Sequence, residues 1–166
     1  CLAALLLGWP AAPATARALD VDRDVCHAVS DTRLPDKSLS ALRFSCQGTP
    51  AGYQQGSLWL RAPLGDAAAQ RGDVALMVHQ SRFDRLAVAF TYADGTARWS
   101  GVCAGDYGSH WRAGGQILFE APDRNVPLTA VTMRFDRLSG VEFVHARAIP
   151  KAEAGMQSAA MAAAVG

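Results

Sequence analysis

Charge is scarce in this chain and nowhere clustered. Of its 166 residues 19% are Asp, Glu, Lys or Arg, the formal net charge is +1, and the basic residues are scattered. Holding nucleic acid takes a positive patch that displaces counterions from phosphates, so no nucleic-acid partner is expected. Long hydrophobic runs are also missing. Nothing between Leu19 and Pro150 approaches the roughly 20 apolar residues that a membrane-crossing helix needs. There is no Gly-x-Ser-x-Gly elbow, no Gly-x-x-x-x-Gly-Lys phosphate cradle and no metal-binding helix motif. Ser, His and Asp all occur, but nucleophilic catalysis needs a base within hydrogen-bond reach of the nucleophile, and no motif supplies one. Paired carboxylates would have to come from Asp106, Glu120, Asp123 or Glu142; Glu120 and Glu142 fall on separate alternating runs, where they are expected to face solvent. The expectation is a protein without enzyme activity, cofactor or metal.

The apolar half of the sequence is enough for one globular core, too much for a disordered chain, and the length leaves room for one domain. Residues 2–7 form a compact apolar run, followed by Gly8, Trp9, Pro10 and an Ala/Pro stretch ending in Ala16-Arg17-Ala18. Signal peptidase accepts small residues one and three positions before the cut, so 1–18 read as an export signal cleaved after Ala18. The alternative, a buried N-terminal helix, is opposed by Pro10 and Pro13.

Cysteine is sparse, and export changes how it is read. Cys1 lies within the signal, leaving Cys26, Cys46 and Cys103 in a compartment that favours disulfides. A Cys26–Cys46 bridge is expected, because it would tie an irregular N-terminal segment onto the first strand. Cys103 is then free, or paired between the two chains of a homodimer. A zinc site is the rival reading, with His27, His79, His110 and His145 on offer. Those histidines are dispersed, however, and no Cys-x-x-Cys or His-x-x-x-His spacing occurs.

From Ser40 to Pro150 short β-like runs alternate with turn residues: 41–46, 57–64, 73–80, 85–92, 97–103, 116–121, 125–136 and 141–149. The run 85–92 is the clearest. Leu86, Val88, Phe90 and Tyr92 share one face while Ala87, Ala89 and Thr91 share the other, the mark of a strand with one buried side. Asp94-Gly95 follows between two such runs and predicts a hairpin. In 125–136, Val131, Met133 and Phe135 fall together; in 141–149, Val141 and Phe143 share a face opposite Val144. Trp59 and Trp99 sit inside runs and read as core or sheet-face residues. Eight short strands with no amphipathic helix between them predict an all-β, antiparallel, jelly-roll-like β-sandwich over 19–150, which periodicity alone does not separate from a closed barrel. The tail 151–166 is mostly Ala, Met and Gln, and reads as a short Ala-rich C-terminal helix linking onward or as a frayed end.

Residues 57–149 resemble the extracellular jelly-roll domain of bacterial seven-transmembrane receptors with diverse intracellular signalling modules. The resemblance rests on Ser57-Leu58-Trp59-Leu60-Arg61, on the stretch from Arg85 through Tyr92 to Ala93-Asp94-Gly95, on Gln116-Ile117-Leu118-Phe119-Glu120-Ala121-Pro122, and on Val131-Thr132-Met133-Arg134-Phe135. It implies a periplasmic sensor, related in shape to carbohydrate-binding jelly rolls, placed before membrane helices and an output such as a diguanylate cyclase or histidine kinase. The tail from about Ala159 would fit the approach to a membrane segment. Two features depart from the pattern: 20–56 is longer and carries cysteines, and no membrane or output segment is present.

The Gly-rich loop 104–115 holds the candidate ligand-binding residues Asp106, Tyr107, His110, Trp111 and Arg112. Aromatic faces stack on sugars or other planar ligands, and Asp, His and Arg supply oriented hydrogen bonds. The competing reading has Tyr107 and Trp111 packing over the end of the sandwich. Two functions follow: a periplasmic input domain, anchored to the inner membrane and binding a glycan or other small ligand, or a secreted carbohydrate-binding module without a signalling role.

Overall fold

The computed structural model describes residues 17–19, 25–48, 50–64 and 73–156. The bulk of the expected signal and the end of the tail lie outside them. Among the described residues ten strands form two antiparallel five-stranded sheets: β1 (Arg17–Leu19), β2 (Cys26–Ser30), β3 (Ser57–Pro63), β4 (Val74–His79), β5 (Arg85–Tyr92), β6 (Ala97–Cys103), β7 (Trp111–Arg112), β8 (Gln116–Glu120), β9 (Leu128–Asp136) and β10 (Ala146–Pro150). The sheet orders are β1-β10-β4-β8-β7 and β2-β3-β9-β5-β6. Setting aside the edge strands β2 and β7, the pairs are nested: β1 with β10, β3 with β9, β4 with β8 and β5 with β6. That nesting is the jelly-roll pattern, and the fold is an all-β sandwich.

Alternation puts Leu58, Leu60, Leu86, Val88, Phe90, Val131, Met133 and Phe135 from one sheet against Leu76, Val78, Ile117 and Phe119 from the other. The expected register is therefore correct. The turn 93–96 closes the predicted hairpin, with Gly95 at φ 79°, where only glycine is at ease, and its N–H donating to the Tyr92 carbonyl.

Three expectations need correction. The run 41–46 is not a strand: Leu39–Ala41 is a 3₁₀ turn, and of the rest Ser45 alone pairs, as an isolated bridge to His27. The run 141–149 opens with a 3₁₀ turn at Val141–Phe143, and its strand begins at Ala146; Val141 and Val144 are both buried while Phe143 is exposed. The run 125–136 becomes a strand at Leu128. Conversely, β1 and β2 lie in a stretch expected to be signal or irregular. The 3₁₀ breaks explain the first two cases. A local turn redirects the chain before alternation can settle, and period two over three or four residues is a weak signal.

β5 also departs from the pattern of one buried side, since Ala87 and Ala89 are as buried as their core-facing neighbours. The outer face of this sheet is covered by the segment between β2 and β3. A Cys26–Cys46 disulfide closes that segment into a loop, as expected, and Cys103 is free and exposed. Under the loop lies Arg134, 2% exposed. Its guanidinium donates to Asp136 and Asp36 at 2.8 and 2.9 Å, to the carbonyls of Thr32 and Leu34, and stacks 4.8 Å over Trp59. Trp59 is buried on this sheet face, with its indole N–H donating to Ser30 and its ring edge-on to Trp99. Asp36 also pairs with Arg85, whose hydrogen bonds hold its carboxyl below the usual carboxylate range.

β1 straddles the expected cut, so a chain cleaved after Ala18 keeps one of the three paired residues, Leu19, opposite Ala146. A chain beginning at Leu19 is expected to be about 1–2 kcal/mol less stable than one beginning at Arg17, at roughly 1 kcal/mol per backbone hydrogen bond. Urea melts of the two chains test this, and equal midpoints would mean that β1 adds nothing.

The tail is helical over 151–156. Its Ala154 caps a second apolar cluster on the outer face of the other sheet, with Ala75, Met77, Leu118 and Ile149.

Candidate functional site

The register sorts the connections to two poles. At one, β4 ends, β5 begins, β6 ends and β9 ends, so the connections 80–84, 104–110 and 137–145 gather there. At the other lie the hairpin 93–96 and Lys151, whose N–H donates to Asp73 beside the Val74–Pro150 pair.

The first pole carries an open cleft of about 590 Å³, lined by Gln80, Ser81, Arg82, Phe83 and Asp84, by Ala104, Gly105 and Tyr107, by Arg137 and Ser139, and by Tyr53. Backbone hydrogen bonds lace these connections together. Ala104 N–H donates to Asp84, Ser139 N–H to Arg82, Arg137 N–H to Gly56, and Gln54 N–H to Leu138. Arg137 sits at φ 51°, an unusual conformation for a residue with a side chain, and its guanidinium pairs with Asp84. Arg82 is exposed and makes no ion pair among the described residues. The Ser81 hydroxyl is shielded and has no hydrogen-bond partner among the described residues.

The five residues expected in a site separate here. Tyr107 lines the cleft. Its hydroxyl accepts from the Gln80 amide at 3.1 Å, and its ring stacks on Trp111 at 5.1 Å and 19°. Trp111 is 41% exposed, so the pair presents an aromatic edge as well as packing over the core. His110 turns inward. Its ring lies 4.6 Å from Phe119, with Nδ1 2.8 Å from the Leu118 carbonyl and Nε2 3.3 Å from the Ser100 hydroxyl. Arg112 donates to the carbonyls of Ser109 and Trp111, which tightens its own loop. Asp106 is exposed in a turn paired to Cys103. The structure thus stacks Tyr107 on Trp111, but of the five only Tyr107 lines the cleft; Trp111 backs it from outside the lining, and the other three lie apart.

Sequence reasoning missed Tyr53, Arg82, Asp84 and Arg137. They come from three segments far apart in the chain, and no spacing links them. The one available cue was the charged Arg82-Phe83-Asp84 turn between two strands. Glu120 and Glu142 are exposed, as expected. Among the described residues no three His, Cys, Asp or Glu side chains gather as a metal site, and no helix is long and apolar enough to cross a membrane. No protein-family model, curated protein or solved structure matches this chain.

Proposed function

We propose that this domain is the exported input module of a membrane-bound bacterial receptor, and that it binds a glycan or similar small ligand at the cleft pole. The observation that carries this reading is the polarity of the fold. The cleft opens at one end of the sandwich, and the C-terminal helix leaves from the other, at Lys151. A ligand approaching from outside would meet the cleft, while the chain leaves its last strand at the opposite pole. The disulfide is consistent with an extracellular or periplasmic setting. Helix 151–156 packs on the β4–β8–β10 sheet, which gives a route from the domain to a following segment. The likeness of 57–149 to the jelly-roll domain of seven-transmembrane receptors agrees with this arrangement, and binding without catalysis is the activity assigned.

The experiment is a glycan screen on the chain, followed by Trp111→Ala on any hit. Removing the ring that backs Tyr107 is expected to weaken binding at least tenfold, about 1.4 kcal/mol, with the fold intact. Unchanged affinity in a folded variant would move the site away from this pole. Turnover of a glycan would overturn the non-enzymatic reading. Full-length protein lacking membrane helices would favour a secreted binding module over a receptor.

A further inference from the structure

We infer that the ligand of this cleft is an acidic saccharide, whose hexuronate carboxylate is held by Arg82. The inference rests on the binding role proposed above and names its ligand class. Two guanidinium groups and one carboxylate line the cleft. Arg137 and Asp84 satisfy each other, which leaves Arg82 as a cation without a counter-ion among the described residues. The next acidic side chain along the 104–107 connection, Asp106, is not part of the lining.

One planar guanidinium matches one carboxylate through two parallel hydrogen bonds. A phosphate, with its higher charge, is served by several convergent cations or by a nest of backbone N–H groups. Here the lining N–H groups of Ala104, Arg137 and Ser139 are already taken up by other connections. The remaining lining suits a hydroxylated ring. Tyr53 is 59% exposed, and the chain beside it is pinned by the bond from Gln54 to Leu138, so its face is offered from a fixed position. Tyr107 is fixed by Gln80 and Trp111. The amide of Gln80 and the hydroxyl of Ser139 supply hydrogen-bonding groups of both kinds.

The probe is a panel of hexuronate oligosaccharides (galacturonate, mannuronate and glucuronate types) and their methyl esters, which keep the ring and remove the charge. Calorimetric titration of the intact chain is expected to give binding of at least one acid, with its ester roughly ten- to a hundredfold weaker. Arg82→Gln should bring the acid down to the affinity of its ester while leaving the ester unchanged, and added salt should weaken the acid alone. Arg82 is exposed, so the variant is expected to keep the wild-type melting temperature. Equal affinity for acid and ester, no effect of Arg82→Gln, or no binding by any acid would each overturn the inference. A neutral glycan that binds and is lost with Trp111→Ala would then still uphold the binding role. Failure of both panels would remove both readings.

Discussion

Arg134→Ala is expected to destabilise the domain by about 3–5 kcal/mol, enough to unfold many proteins of this size. The magnitude follows from what the substitution leaves behind. Arg134 is nearly inaccessible, and four of its five donors serve two carboxylates and two carbonyls. Without it, the Asp136 carboxylate, 12% exposed, keeps the short hydrogen bond from Ser57 and a looser ion pair at 3.8 Å with Arg85. The carbonyls of Thr32 and Leu34 lose a charged donor, and Trp59 loses the cation over its face. Arg134→Met would keep most of the packing on Trp59 and lose only the polar partners, so it should fall between wild type and alanine. Urea denaturation of the three proteins makes the comparison. A loss below about 1 kcal/mol for alanine would mean that the network is solvated and contributes as surface pairs do.

That network also marks where the sequence stopped being legible. The core register could be read because Leu86, Val88 and Phe90 alternate with small residues over eight positions, and long alternation is hard to produce by other means. Asp94-Gly95 was legible because the turn conformation itself selects glycine. The disulfide could be chosen because a Cys26–Cys46 bridge would tie down an irregular N-terminal segment, although the run it was expected to join is no strand. The second layer over β3, β5 and β9 could not be read. Arg134 sits at an ordinary outward strand position, and its partners Thr32, Leu34 and Asp36 lie about 100 residues away in a segment with no periodicity. Ala87 and Ala89 look like the filler of a solvent face, yet both are buried there, paired in register with the large outward side chains Arg134 and Trp99. Gly56 was equally opaque: a Cβ there would meet the Ser30 carbonyl at 2.2 Å, a contact made where β2 pairs with β3 rather than by any local motif. Within the candidate site, Tyr107 and Trp111 were visible because aromatics in a Gly-rich loop stand out. Arg82 and Arg137 were not, because single arginines in short connections are common and what matters is which pole the topology brings them to.

Cys46→Ser is expected to cost about 3 kcal/mol, and less once Arg134 has been replaced. The bridge closes a loop of sequence separation 20, for which the lost chain entropy of the unfolded state is of that order. The same loop presents Thr32, Leu34 and Asp36 to Arg134, so the two elements hold one structure in place: the disulfide and the His27–Ser45 bridge fix its two ends, and the guanidinium fixes its middle. Two devices that act on one loop do not contribute independently. The double variant should therefore be less destabilised than the sum of the single losses, by about 0.5–3 kcal/mol, the range found for residues sharing a network. Arg134→Met is the partner of choice in this cycle, because it leaves a protein stable enough to measure. Urea midpoints for wild type, the two single variants and the double variant give the coupling directly. Strict additivity would show that the disulfide acts on the unfolded chain alone and that the loop stays seated on Arg134 without it. In that case the cover over β3, β5 and β9 is held by its polar contacts, and reduction of the bridge would lower stability without opening this face of the sheet.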